Sequence, residues 1–101
     1  MKRINSERKA AEKARGVLAL LSPTAAYADH IVLPLRLAAS VATSAVSQVT
    51  SGQKTLNKIR THATEALNAV IRALQTRTLT RKIITSAQEA IDDWLAGLDA
   101  A

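Results

Sequence analysis

The segment from Lys54 to Gln75 carries apolar side chains at every third or fourth position. This spacing matches the turn of an α-helix, about 3.6 residues, and gathers the apolar side chains on one side of the helix. The apolar set consists of Leu56, Ile59, Ala63, Leu67, Val70 and Leu74. The opposite side carries Lys54, Lys58, His62, Glu65, Asn68 and Arg72. Such a helix must bury its apolar side against other helices, so the rest of the chain has to supply them.

Three further segments show helical spacing. A first helix ends near Leu21, and a second runs from Ser22 to about Val49. Pro34 has no backbone N–H and should kink or divide the second helix. A fourth helix follows the Thr-rich break at residues 75–80 and reaches about Leu98, although a capping-box pattern at residues 86–89 allows a later start. The expected buried stripes are Ala10, Ala14, Val17, Leu18 and Leu21; Ile31, Leu35, Ala38, Ala42, Ala45 and Val49; and Ile84, Ala87, Ile91, Trp94, Leu95 and Leu98.

The stretch between the first two helices allows two interpretations. Residues 16–28 contain a short apolar core and a small-x-small pattern, as in a secretory signal peptide cleaved before Asp29. The apolar core is short, however, and acidic residues precede it. Alternatively, Ser22 caps a second helix and Pro23 occupies its first position. The helical corner explains more residues, so we disfavour a signal peptide at 1–28 and expect a cytoplasmic protein.

The helices are joined by short breaks, and the clearest is the turn at Thr50–Gln53, which contains Gly52. Glycine and proline are scarce, and the absence of cysteine excludes disulfides and thiolate metal sites. Four amphipathic helices with short connections predict an all-α fold, a small antiparallel four-helix bundle with up-down-up-down topology. We expect one helical domain over residues 1–101.

Charge is distributed unevenly along the chain. Residues 1–15 carry six basic and two acidic groups, whereas residues 85–101 carry four acidic groups and no basic ones. In the predicted topology these two segments meet at one end of the bundle. They can stabilise each other within the chain, or each can dock on a neighbouring copy.

The net charge of +6 therefore comes from residues 16–84. The expected basic contact face consists of Lys54, Lys58, Arg60, Arg72, Arg77, Arg81 and Lys82. Such a face can bind nucleic acid or an acidic protein, or it can be a solvated surface. A helix-turn-helix over residues 44–62 fits poorly, because its register would bury Ser47, Ser51 and Lys58. Nucleic-acid binding would then be salt-sensitive contact with the phosphate backbone.

The sequence gives little support for catalysis. Asp92 and Asp93 are adjacent and diverge by about 100° on a helix, so they do not form an acid–base pair. His30 and His62 lack metal-ligand spacing, and no nucleophile or phosphate-loop motif is present. We expect no enzyme activity, catalytic residue, metal site or cofactor.

Trp94 is the only tryptophan. It can belong to the core, or it can form an exposed apolar interface with Ile91, Leu95 and Leu98, since interface hot spots favour tryptophan. We expect a small regulatory or inhibitory protein that binds another, possibly acidic, protein and self-associates. Nucleic-acid binding is the alternative, and membrane-surface binding is third. A transmembrane span over residues 31–49 is disfavoured by Arg36 and by the Ser/Thr-rich face.

Overall fold

The structure is a computed structural model that describes residues 2–46 and 54–100, with side chains from residue 5 onward. It contains the α-helices α1 Lys2–Leu20, α2 Asp29–Val46, α3 Lys54–Thr76 and α4 Arg81–Ala100. The predicted turn at Thr50–Gln53 lies outside the described residues, as do Ser47 and Val49 at the end of the predicted second helix.

The helices form the predicted four-helix bundle. Each helix packs against the next one described along the chain, and α4 closes the bundle against α1. Arg8 pairs with Asp99 and Arg15 with Asp92, which fixes α1 and α4 as antiparallel neighbours. The bundle measures 41 × 21 × 20 Å. The start of α1 and the end of α4 lie at one end of the bundle. The loops formed by residues 21–28 and 77–80 lie at the other end.

The start of α2 differs from the prediction. Residues 21–28 are not helical, and α2 begins at Asp29. Ser22 does not cap a helix; its hydroxyl lies 3.1 Å from that of Thr24, and its carbonyl accepts a turn hydrogen bond from Ala25. The Ala28 carbonyl instead accepts the first helical hydrogen bonds, and Asp29 places its negative charge at the positive end of the helix dipole.

Pro34 lies inside α2, as predicted, but only in its second turn. The first four N–H groups of a helix have no partner within it. With a start at Asp29, Pro34 therefore removes a single helical hydrogen bond, the one to the His30 carbonyl.

The corner between α3 and α4 is closed by backbone geometry at Arg77. The Thr78 N–H donates to the Ala73 carbonyl at 2.9 Å, as in a Schellman motif, and Arg77 adopts the left-handed conformation with φ 58°. The Thr80 hydroxyl then accepts from the Ile83 N–H at 3.2 Å and caps α4. The later start at residues 86–89 is therefore wrong, because Thr80 provides the cap.

Replacing Arg77 with glycine is expected to stabilise the fold by about 1 kcal/mol, because glycine adopts positive φ without a clash at Cβ. Urea unfolding followed by circular dichroism measures the change. Arg77→Ala is the matched control: it removes the same exposed side chain, keeps the Cβ, and should bring no gain. An equal gain from alanine would mean that the side chain, and not the backbone, carries the strain.

The core is dominated by small side chains. α1 buries mainly Ala10, Ala11, Ala14 and Leu18, and four alanines are buried along α2. The predicted stripe of α3 is confirmed, with Ile59 only partly buried. Small side chains let helices approach closely but bury little apolar area per residue, so the few large core residues matter most. Those with the largest fully buried side chains are Trp94, Leu18, Leu35, Leu67, Leu74, Ile84 and Ile91.

Candidate binding surfaces

A buried polar cluster of Glu7, Asn57, Arg60 and Trp94 lies within the bundle. The Arg60 guanidinium binds the Glu7 carboxylate through two parallel hydrogen bonds, from Nε at 2.9 Å and from Nη2 at 2.6 Å. Trp94 Nε1 donates to Glu7 Oε2 at 2.9 Å, and Arg60 Nη1 donates to Asn57 Oδ1 at 3.0 Å. Glu7 is 1% exposed and Arg60 is 3% exposed. This cluster therefore joins α1, α3 and α4 inside the core.

The predicted placement of Arg60 on the basic contact face is wrong. Arg60 falls on the buried side of α3, in phase with Leu56, Ala63 and Leu67. It is tolerated there because Glu7 neutralises its charge with fork geometry, which is the strongest arrangement for a carboxylate and a guanidinium. Among the described residues no buried side-chain polar atom lacks a hydrogen-bond partner. The cluster thus has the properties of a structural element that fixes how the helices align.

Sequence analysis missed Glu7, although a signal was present. Glu7 lies in helical phase with Ala11, Ala14 and Leu18 of the apolar stripe of α1. Arg60 occupies the same kind of position on α3. One acidic and one basic residue, each within an apolar stripe, indicate a buried ion pair.

The interpretation of the α4 end as an exposed apolar interface is also wrong. Ile91 and Trp94 are fully buried, Leu98 is 2% exposed and Leu95 is partly buried. The indole N–H of Trp94 donates its hydrogen bond to Glu7 within the core. Ile91, Trp94 and Leu98 therefore belong to the core, and Leu95 packs against it with only part of its side chain exposed.

The six remaining residues of the basic contact face are exposed, and we call them the basic surface: Lys54, Lys58, Arg72, Arg77, Arg81 and Lys82. None of the six side chains forms an ion pair with another described residue. Glu65 is the one acidic residue between Lys54 and Lys82 in the sequence, and no acidic residue occurs from 66 to 88. The surface extends along α3 and around the corner to the start of α4.

The charged termini behave differently from the basic surface. Arg15 Nε lies 2.7 Å from Asp92 Oδ1, and Arg8 binds Asp99. The hydrogen bond to Asp99 raises the pKa of Arg8, whose guanidinium is already charged throughout the accessible pH range. Of the two interpretations of the terminal charges, pairing within the chain is therefore the one observed.

The outer face of α2 presents exposed apolar side chains. Leu33 is 67% exposed and Leu37, one helical turn later, is 52% exposed. Asp29 and Arg36 lie on the same face, are exposed, and form no ion pair with any described residue. We call these four residues the α2 outer face. The sequence contained this signal, because two leucines stand one turn apart outside the buried stripe of α2.

Two of the grooves on the described surface lie between separate elements of the bundle. One, of about 690 Å³, lies between the two loops at the loop end and is lined by residues such as Pro23, Tyr27, Leu74 and Arg77. The other, of about 460 Å³, lies between α2 and α3 and is lined largely by hydroxyl and amide side chains. Within the described ranges, no three His, Asp or Glu side chains are grouped so that they could hold a metal ion.

None of the helices, over the part of the chain that the structure describes, has the length and apolar character needed to cross a membrane. No protein-family model, curated protein or solved structure matches this chain.

Proposed function

We propose that this chain is a non-enzymatic helical binding protein that acts through protein–protein contacts and self-associates through the α2 outer face. The observation that carries the proposal is the exposure of Leu33 and Leu37, 67% and 52%, one turn apart on one helix. Scattered exposed leucines are normal on protein surfaces, but neighbouring ones on a helix face are typical of contact sites. A regulatory or inhibitory role without a cofactor, in the cytoplasm, fits a protein of this kind.

The composition of the core favours self-association. The alanine-rich stripes of α1 and α2 bury little area, and small domains of this kind are only marginally stable on their own. Covering two exposed leucines with a second chain removes further apolar surface from water at about 25 cal/mol per Å². Oligomerisation is a common way for small folds to gain the missing stability.

Size-exclusion chromatography with light scattering tests this proposal on the full chain between about 5 and 200 µM. We expect the mass to rise with concentration from the monomer value of 10.8 kDa, and the double variant Leu33→Glu/Leu37→Glu to remain monomeric. The control Thr85→Glu/Ser86→Glu adds the same charge at exposed positions of α4 and should self-associate like the original chain. A monomer at every concentration would overturn the proposal.

Nucleic-acid binding through the basic surface is the second candidate function. It is favoured by six exposed basic side chains that have no acidic partner among the described residues. Arg60 and Trp94 are buried, and none of the six residues of the basic surface is aromatic, so contact would be mainly with phosphates. Such binding is weakly sequence-specific and weakens as counterions compete.

A labelled DNA duplex, titrated with the protein at about 50 to 200 mM salt, tests this second candidate by fluorescence anisotropy. We expect affinity to fall steeply with salt, and the slope to flatten in the triple variant Lys54→Gln/Lys58→Gln/Arg72→Gln, because each lost phosphate contact lowers the slope by about one. The control Lys9→Gln/Lys13→Gln removes exposed charge from α1 and should leave the slope nearly unchanged. Absence of binding at the lowest salt would reject nucleic acid as the partner.

A further inference from the structure

The α2 outer face is complementary to itself, and we propose that its occupant is the same face of a second copy of this chain, packed antiparallel about a two-fold axis at Leu33. This inference rests on the self-association proposed above and specifies its geometry. Isologous contacts of this kind require one patch to supply both members of every interacting pair. Asp29 and Arg36 provide opposite charges, and Leu33 lies between them in the sequence.

Helical geometry places these residues suitably. At about 100° per residue, Asp29, Leu33, Arg36 and Leu37 fall within one sector about 100° wide, with Leu33 near its centre. The sector points away from the buried residues Val32, Leu35, Ala38 and Ala42. All four side chains are therefore available to a partner helix that approaches α2 from outside the bundle.

Antiparallel pairing about Leu33 brings complementary groups together. Leu33 meets Leu33 of the second copy on the axis. Arg36 then lies within about one residue rise, 1.5 Å along the helix, of the level of Asp29 in the second copy. Asp29 and Arg36 lie on the same edge of the α2 outer face. The two-fold symmetry therefore creates two equivalent ion pairs, each between Asp29 of one copy and Arg36 of the other. On the other edge, Leu37 packs beside the exposed His30 of the second copy.

Charge complementarity favours a second copy of this chain over a different protein or a membrane surface as the occupant of the α2 outer face. A partner protein or a membrane surface would have to supply both an acidic and a basic group at the spacing of Asp29 and Arg36. A second copy supplies both automatically. The contact covers only about two turns of helix from each chain, so we expect modest affinity, with a dissociation constant of about micromolar size.

Charge reversal tests the arrangement by sedimentation equilibrium on the full chain. Asp29→Arg and Arg36→Asp, each alone, place like charges opposite each other twice, so each should raise the dimer dissociation constant about 10-fold or more. The double variant Asp29→Arg/Arg36→Asp restores opposite charges and should return the constant to within about 3-fold of the original. The controls Glu89→Arg and Lys13→Asp make the same charge changes at exposed positions of α4 and α1 and should leave it unchanged. Circular dichroism verifies that every variant is folded.

Each outcome decides a different point. Weakening by both single variants with rescue by the double variant supports the two-fold arrangement. A dimer that is indifferent to the single variants, or one that the double variant does not restore, overturns this arrangement but leaves self-association standing. An original chain that sediments as a monomer at about 200 µM overturns both.

Discussion

Glu7→Ala is expected to destabilise the bundle by about 3–5 kcal/mol, a large part of the roughly 5–15 kcal/mol that holds a domain of this size together. The variant removes the carboxylate that accepts two hydrogen bonds from Arg60 and one from Trp94. The guanidinium remains 3% exposed in a core that no longer neutralises its charge. Urea unfolding monitored by circular dichroism at 222 nm measures the loss, and the melting temperature should fall by about 15 °C or more.

The double variant Glu7→Leu/Arg60→Met provides the matched control. Replacing a buried ion pair with apolar side chains of similar size is often neutral or stabilising, because neither charge then has to be removed from water. We expect the double variant to recover most of the stability lost in Glu7→Ala. If it is as unstable as the single variant, the ion pair together with its hydrogen bonds to Trp94 and Asn57 contributes net stability, and the role of the cluster is not confined to aligning the helices.

Trp94→Ala is expected to cost about 3–5 kcal/mol, because it leaves a large cavity and removes one hydrogen-bond donor from Glu7. Trp94→Phe should cost less, about 1–3 kcal/mol, since it retains most of the ring volume and loses mainly the donor to a buried carboxylate. The two variants thus separate packing from hydrogen bonding. Chemical unfolding of both, compared with the original chain, measures the difference.

Fluorescence gives an independent check on the same residue. Trp94 is the only tryptophan in the chain, so the emission reports on it alone. We expect blue-shifted emission and little quenching by iodide in the folded protein, and both properties should be lost in urea. If Trp94→Ala keeps full helicity and stability but no longer self-associates, Trp94 is an interface residue and its placement in the core is contradicted.

Periodicity predicted the parts of the fold that depend on single helices. The stripe from Leu56 to Leu74 identified α3 to within a residue, and the Thr-rich segment marked the corner before α4. The pattern failed at the start of α2, because Ser22 and Pro23 carry a capping signal that the turn to Ala25 uses instead. A Ser-Pro pair of this kind is compatible with both a helix cap and a turn. Which of the two forms depends on how the chain passes from α1 to α2.

The candidate sites were less predictable than the fold, because they depend on pairs of helices. The charge of Arg60 predicts a place on the basic contact face, although its phase on α3 places it among buried leucines. Its partner Glu7 lies 53 positions earlier in the sequence, and only the packing of α1 and α3 in the same bundle brings the two together. Leu33 and Leu37 could not be predicted as a contact site, because the periodicity of α2 identifies its buried stripe and does not distinguish a solvated outer face from a binding one.

Disulfide crosslinking at Leu33 tests the central claim, self-association of the α2 outer face about a two-fold axis at Leu33, most directly. The chain has no cysteine, so Leu33→Cys introduces a single thiol on the proposed two-fold axis, where two copies meet within the distance that a disulfide spans. Under mild oxidation we predict a covalent dimer from Leu33→Cys and little from Leu37→Cys, which lies on the same face but away from its own counterpart. Equal crosslinking of both variants, or none from Leu33→Cys, would contradict the claim.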